Sequence, residues 1–228
     1  MENEAKFRVR MKFSRLGPAK NLTHLEQINE LRKLAAAAGL PYAPVKCGRE
    51  KAPKMSFGPA ISVGYESACE YADLYLTQYV PETAIEEKIH SVPCILAITG
   101  IKRIPLFFPA IEASVNAVEY EMRFENGGVP DAVEVERFLI SGRIMYEKTK
   151  HSGIKEIINA RETVISMKVC MAAPNAPVLN LCLKIEPKKN IKPEIILQLL
   201  TGGRVNAANI MRKELYWTDS SGKLNKLL

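Results

Sequence analysis

The stretch KFRVRMKFS, residues 6–14, alternates between basic and apolar side chains from Lys6 to Phe13. Phe7, Val9, Met11 and Phe13 point to one side of an extended chain, and the basic residues point to the other. The basic residues are Lys6, Arg8, Arg10 and Lys12. This pattern predicts a β-strand with one face in a hydrophobic core. We expect its basic face to lie on the open side of the sheet, where it could follow the phosphates of a nucleic acid. A solvated face that discourages aggregation is the alternative interpretation.

A helix is predicted immediately after this strand, in NLTHLEQINELRKLAAAAGL, residues 21–40. Thr23 and Glu26 have the S/T-x-x-E spacing of a capping box, which places the first helical residue at His24. At about 100° per residue, His24 shares the apolar face with Leu31, and we expect Leu25 to flank that face.

Capping and burial do not explain an imidazole at this position. His24 is either a neutral core residue or a functional group, such as the general base of an RNA-processing enzyme. We favour the structural interpretation, because buried polar groups are normally satisfied by neighbours.

The rest of the chain predicts two rounds of strand, helix, strand, strand, helix and strand. This is the split β-α-β order of a ferredoxin-like domain. We therefore expect an α+β fold of two tandem ferredoxin-like halves with mainly antiparallel sheets. The expected domains are residues 1–110, with the basic first strand, and residues 111–228. The helix KPEIILQLL, residues 192–200, is expected to end at Gly202 and Gly203.

Composition limits the function without defining it. The chain has 228 residues and a formal net charge of +7, which is compatible with RNA or with an acidic partner. Five dispersed cysteines and three histidines show no zinc or iron–sulfur spacing, so we expect neither a metal nor a cofactor. The amino-terminal stretch carries charges where a signal peptide needs apolar residues, and no run is long enough to span a bilayer. We expect a cytoplasmic protein without membrane contact.

Candidate binding residues lie near the first strand, in the loop KCGREKAPK, residues 46–54, and after the helix that ends at Gly202. Loops of this kind often carry binding residues. The cations in these regions are Arg8, Arg10, Lys12, Arg15, Lys20, Lys46, Arg49, Lys51, Lys54 and Arg204.

Segments of the first half, FRVRMKFSRLGPAKNLTHLEQ and KMSFGPAISVGYESACEYADLYL, resemble a radical-SAM-linked family of uncharacterised domains. The family is encoded beside, or fused to, cobalamin-binding radical SAM proteins. The matching positions are Phe13, Gly17, Thr23, His24, Leu25, Glu26, Gly48, Pro53, Lys54, Ser56, Phe57, Pro59, Gly64, Ser67, Glu70, Tyr71 and Asp73. In the second half, Arg161 and Arg212 match family arginines and join the candidate binding residues. The family's loop histidine is absent, since that portion reads Arg49, Glu50, Lys51 and Ala52.

The resemblance implies a non-catalytic accessory protein that presents a substrate, with RNA as the expected substrate, to a radical SAM enzyme. Two alternatives stay open. One is a metal-independent RNA-processing endonuclease of tandem ferredoxin-like fold, with His24 as its base. The other is a protein-interaction module that does not bind nucleic acid.

Overall fold

The computed structural model describes residues 4–48, 50–125, 128–149, 153, 155–173, 176–186 and 189–228. The chain divides into two compact units. Unit 1 comprises Met1–Val115 and Asn225–Leu228, and unit 2 comprises Asn116–Leu224. Each unit combines antiparallel strands with a few helices, which confirms the predicted α+β class with mainly antiparallel pairing.

Unit 1 is built around a central first strand. Its elements are β1 (Phe7–Arg15), a 3-10 turn (Gly17–Asn21), α1 (His24–Ala37), β2 (Pro44–Cys47), β3 (Glu50–Pro53), β4 (Met55–Phe57), β5 (Glu66–Leu76), α2 (Glu82–His90), β6 (Ala97–Ile104) and α3 (Ile111–Ser114). The sheet order is β4-β5-β1-β6, and every pair is antiparallel. Strands β2 and β3 form a separate hairpin.

The alternation in β1 builds the core of unit 1. Val9, Met11 and Phe13 are buried together with Leu31 and Leu34 of α1. Burial of several large apolar side chains, each stabilising by about 1.5–3 kcal/mol, fixes α1 against this face of the sheet.

Helix α1 begins where the capping box predicts. The Thr23 hydroxyl accepts the backbone N–H of Glu26, and the Glu26 carboxylate accepts the backbone N–H of Thr23. Leu25 departs from the prediction, because it is 66% exposed and does not flank the apolar face. Gln27, on the opposite flank beside Leu31 and Leu34, is buried instead.

Unit 2 has a similar order of strands and helices, but the individual elements differ in length from those of unit 1. Its elements are β7 (Ala117–Arg123), α4 (Ala132–Ile140), β8 (Met145–Thr149), β9 (Lys155–Asn159), α5 (Ala160–Thr163), β10 (Val164–Ala173), β11 (Ala176–Lys184), α6 (Pro193–Thr201) and β12 (Asn209–Thr218). A short last strand, β13, is formed by Leu224–Lys226. The sheet order is β10-β11-β7-β12, and β8 pairs with β9 as a separate hairpin.

The core of unit 2 lies between its sheet and helices α4 and α6. Met122, Leu179 and Leu215 from the sheet are buried, as are Phe138 of α4 and Ile196 of α6.

Helix α6 ends as its sequence predicts. Gly202 follows the helix in the left-handed conformation, with φ of 61°, and its backbone N–H bonds to the Gln198 carbonyl. Glycine adopts this conformation without a Cβ penalty, which makes it a common helix stop. Within the described part of the chain, no helix has the length and apolar character needed to cross a membrane.

Candidate nucleic-acid interface

The basic side of β1 is covered, and the prediction of an open phosphate-binding face is wrong for its two arginines. Arg8 is 1% exposed and Arg10 is 5% exposed. The cause is Asp73 on the neighbouring strand β5, which is directly opposite Arg10 and fully buried. Arg10 donates to both Asp73 oxygens at 2.8 and 3.0 Å, and Arg8 Nε donates to Oδ2 at 2.9 Å.

Arg8 also holds the chain segment that covers this face. Its guanidinium donates to the carbonyl of Phe108 at 2.6 Å and to that of Pro109 at 2.9 Å. One carboxylate and two carbonyls therefore satisfy this buried cation, as burial of a charge requires. The covering segment follows β6 and lies about 100 residues from Arg8 in sequence, so no local pattern predicts it.

Cations and tyrosines interleave on the same side of the sheet. Lys54 Nζ lies 5.0 Å from the centre of the Tyr75 ring, whose centre is also 5.4 Å from the Arg8 guanidinium carbon. Lys12 Nζ lies 5.5 Å from the Tyr71 ring and is half-buried, whereas Lys54 is exposed. Lys54 is thus the cation in this row that a ligand can reach.

Arg15 is also buried, so the prediction of a phosphate contact beyond the end of β1 is wrong as well. Its guanidinium donates to the carbonyls of Ala19 at 3.0 Å, Lys20 at 2.6 Å and Leu22. These bonds shape the turn that leads into α1. The Lys20 side chain remains half-buried.

His24 lies half-buried at the first position of α1. Its ring meets Phe57 of β4 edge-on, with centroids 6.4 Å apart. Its Nδ1 atom is buried, and no described residue bonds to it. A general base is normally oriented by a hydrogen-bonding partner on its second nitrogen. The described residues supply His24 with a packing partner and no such orienting group.

The β2–β3 hairpin carries two exposed residues among the predicted cations. Lys46 and Lys51 are directly opposite each other in its register, and both are exposed. Directly opposite residues lie on one face with Cβ atoms about 5 Å apart, so like charges there repel. Among the described residues, neither lysine has an ion-pair partner. Arg49, predicted to belong to the same loop, lies outside the described residues.

A cleft of about 320 Å³ separates this hairpin from α1. Arg32 of α1 lines it, with Nη1 3.8 Å from the Cys47 sulfur and a buried Nε that no described group accepts from. Lys33 lies beside it and is paired with Glu30 at 2.9 Å. The sequence does not predict a role for Arg32, because local sequence patterns do not show that the hairpin lies next to the polar face of α1.

The three candidate arginines of unit 2 have partners in the protein or are buried. Arg161 donates to the carbonyls of Leu139 and Val164 at 2.8 and 3.0 Å. Arg204 forms an ion pair with Glu134. Arg212 is buried in strand β12. The positions of Arg161 and Arg212 favour structural roles within unit 2, whereas Arg204 is exposed and stays a predicted binding residue.

Unit 2 also contains a polar cluster on β7, β11 and β12. Tyr216 donates to Glu119 at 2.7 Å, and burial raises the pKa of Tyr216 above its usual value, an effect that this bond to Glu119 reinforces. Burial also raises the pKa of the Cys182 thiol to about 12. A thiol that stays protonated near neutral pH is a poor nucleophile, so this cluster does not have the character of a thiolate site.

Groups of three or more histidine, cysteine, aspartate or glutamate side chains that could hold a metal ion are absent from the described residues. The candidate binding groups of unit 1 are instead exposed cations, namely Lys46, Lys51 and Lys54. Such groups bind anions through charge and hydrogen bonds.

Solved structures with a similar course of the chain include a Cbf5–Nop10–Gar1 complex, with a TM-score of 0.46 and 10% identity over 91% of this chain and 48% of that one. An archaeal box H/ACA sRNP Nop10–Cbf5 complex has a TM-score of 0.44 and 7% identity over 90% of this chain and 46% of that one. The chain thus spans about half the length of these proteins, and the similarities are too distant to bear on its function.

No curated protein matches the sequence. A protein-family model matches residues 8–193, which include most of both units. The chain therefore belongs to the family described as "Uncharacterized protein conserved in bacteria (DUF2344)".

Proposed function

We propose that this protein is a non-catalytic accessory protein that binds an RNA substrate and presents it to a radical SAM enzyme. The observation that carries the RNA part is the exposed cross-strand pair Lys46 and Lys51, which has no ion-pair partner among the described residues. Two adjacent like charges destabilise a hairpin slightly unless an anion lies between or beside them. A phosphate group supplies that anion.

The surroundings of the pair suit a chain of phosphates better than a single one. Lys54 is exposed at the base of the hairpin, and Arg32 lines the cleft beside its tip. Cations spaced along a hairpin follow a polyanion and release its counterions on binding. RNA is the polyanion that the family resemblance implies.

The radical SAM partner is proposed from the resemblance of the first half to domains encoded beside such enzymes. The five cysteines are dispersed, without a C-x-x-C spacing. An iron–sulfur cluster would then belong to the partner, and this chain would contribute substrate binding. A cytoplasmic location remains a prediction that accompanies this role.

We further propose that each unit is a ferredoxin-like domain with one extra hairpin after its first helix. The orders β4-β5-β1-β6 and β10-β11-β7-β12 support this proposal, because each places the first long strand inside and the last at its side. The boundary between the predicted domains 1–110 and 111–228 would then fall near Val115, where the two compact units divide.

Equilibrium titration against tRNA and ribosomal RNA fragments at fixed salt tests the binding role. We expect the K46Q/K51Q double variant to bind roughly tenfold more weakly than wild type, because two phosphate contacts are lost. The matched control is K88Q/K184Q, which removes the same charge from two exposed lysines outside the hairpin. Equal affinities for the two double variants would contradict the assignment to the hairpin, and no binding by wild type would remove the RNA role.

A further inference from the structure

Three aromatic side chains are exposed near one end of the unit 1 sheet. Phe107 is 84% exposed, Tyr79 is 62% exposed, and Phe108 is also exposed. Exposed aromatic side chains of this size often mark an interaction site.

The strand register brings these rings to the same end. Strand β1 begins at Phe7, which is opposite Leu76 at the end of β5, and Arg8 is opposite Ile104 at the end of β6. Tyr79 follows β5 by three residues, and Phe107 follows β6 by three residues. Arg8 holds the Phe108 carbonyl at 2.6 Å, so the aromatic segment after β6 has a fixed backbone.

The Tyr79 ring is held in one orientation before any ligand arrives. The Arg103 guanidinium lies 4.3 Å from the ring centre, and Phe7 meets the ring edge-on at 5.8 Å. Arg103 is itself anchored by a 2.6 Å bond from Nη2 to the Val80 carbonyl. One face of the ring is thus covered by a cation, while most of the side chain faces solvent.

Two exposed lysines lie near this end of the sheet. Lys6 is exposed and is anchored by its backbone N–H to the Leu76 carbonyl at 2.8 Å. Lys54, at the base of the β2–β3 hairpin, lies beside Tyr75. Fixed aromatic rings among cations are the combination that binds single-stranded nucleic acid, since bases stack on the rings and phosphates meet the charges.

We propose that the RNA bound by this protein is unpaired, and that its bases stack on Tyr79 and Phe107 at this end of unit 1. The inference rests on the proposed RNA-binding role and names the class of RNA. Bases inside a duplex are stacked on one another and cannot stack on a protein ring. These side chains therefore add nothing to the affinity for a duplex.

The test uses three fluorescent ligands of one length: an unstructured RNA strand, the same strand with abasic ribose at every position, and a duplex. We expect wild type to bind the unstructured strand roughly a hundredfold more tightly than the abasic strand, because stacking on each of the two rings contributes about tenfold in affinity. The variant Y79L keeps an apolar side chain against Phe7 and Arg103 but has no aromatic face. It should lose about tenfold in affinity for the unstructured strand and nothing for the abasic strand, while Y79F should bind like wild type.

The outcomes separate the two proposals. If wild type binds the unstructured and abasic strands equally and Y79L changes neither affinity, stacking is wrong and the phosphate-binding role stands. If wild type binds none of the three ligands, the RNA-binding role itself fails. F107L provides a second, independent variant, and equal affinity of F107L and wild type for the unstructured strand would remove Phe107 from the site.

Discussion

Asp73 is the residue on which the buried side of the unit 1 sheet depends. It is fully buried and accepts hydrogen bonds from both Arg8 and Arg10. A buried ion group of this kind need not stabilise more than apolar residues would, but removal of one partner leaves uncompensated buried charge. Arg8 and Arg10, neighbours on the same side of β1, would then be buried without this counter-charge.

Substitution of Asp73 by asparagine should lower the free energy of unfolding by about 3–5 kcal/mol, because both guanidinium groups lose their counter-charge. Urea denaturation followed by far-UV circular dichroism measures the change. E112Q is the control, since Glu112 is an exposed acid in the same unit. A loss below about 1 kcal/mol for D73N would contradict the pairing described for Asp73.

For His24, in contrast to Asp73, we expect a substitution that does not destabilise the protein. Its Nδ1 is buried, no described group bonds to it, and its ring packs edge-on against Phe57. Replacement of an unsatisfied buried polar ring by an apolar ring of similar shape is often neutral or stabilising. We expect H24F to unfold within about 1 kcal/mol of wild type or at higher free energy, and to bind RNA normally.

Incubation of labelled RNA with wild type and H24F completes that test. Equal RNA profiles in the two samples agree with the structural role of His24. Cleavage by wild type that H24F abolishes would contradict it and would support the endonuclease alternative.

At the residue scale, the alternation in KFRVRMKFS is enough to separate Val9 and Phe13 from Arg8 and Arg10. It cannot tell whether the basic face is covered, because cover depends on Asp73 and on the carbonyls of Phe108 and Pro109. These partners are 63 to 101 residues away. The local periodicity predicts on which side of the strand a side chain lies. It does not predict which distant segments pack against that side.

The sequence predicts the start or end of a helix where a few neighbouring residues determine it. The Thr23 and Glu26 capping box fixes the start of α1, and Gly202 fixes the end of α6, since each acts within one helical turn. The β2–β3 hairpin was foreseen as a basic loop, but the register that places Lys46 opposite Lys51 was not. A hairpin register depends on the turn geometry, which the sequence there does not specify.

A charged group links strands β7 and β12 of unit 2. Glu121 of β7 accepts from Lys213 of β12 at 3.0 Å and from Arg123 at 2.9 Å. Burial opposes ionisation of Glu121, but these two cations outweigh it and keep the pKa of Glu121 below its ordinary value.

The lowered pKa predicts how this contribution changes with pH. A carboxyl whose pKa is lower in the folded state stabilises the fold above its unfolded pKa, about 4.3, and the stabilisation is lost as pH falls through the folded value. E121Q should therefore lose stability relative to wild type at pH 7, with a smaller difference at pH 3. Urea denaturation at both pH values measures this, and an equal difference at both would contradict the pairing.

The whole molecule carries a formal net charge of +7, but the net charge does not show where a binding site lies. Arg8, Arg10, Arg15 and Arg212 are buried, and Arg204 is paired. The exposed cations of unit 1 include Lys46 and Lys51 on the hairpin and Lys6 and Lys54 near the end of the sheet. Net charge is compatible with the proposed RNA partner, but the positions of the charges are known only from the fold.

The salt dependence of RNA binding tests the central claim most directly. Each phosphate contact on a single strand contributes about 0.7 to the slope of log K against log salt concentration. With Lys46, Lys51 and Lys54 engaged, wild type should show a slope of about −2 or steeper, and K46Q/K51Q should be shallower by about 1.4. A slope near zero for wild type, or the same slope for both proteins, would contradict the account.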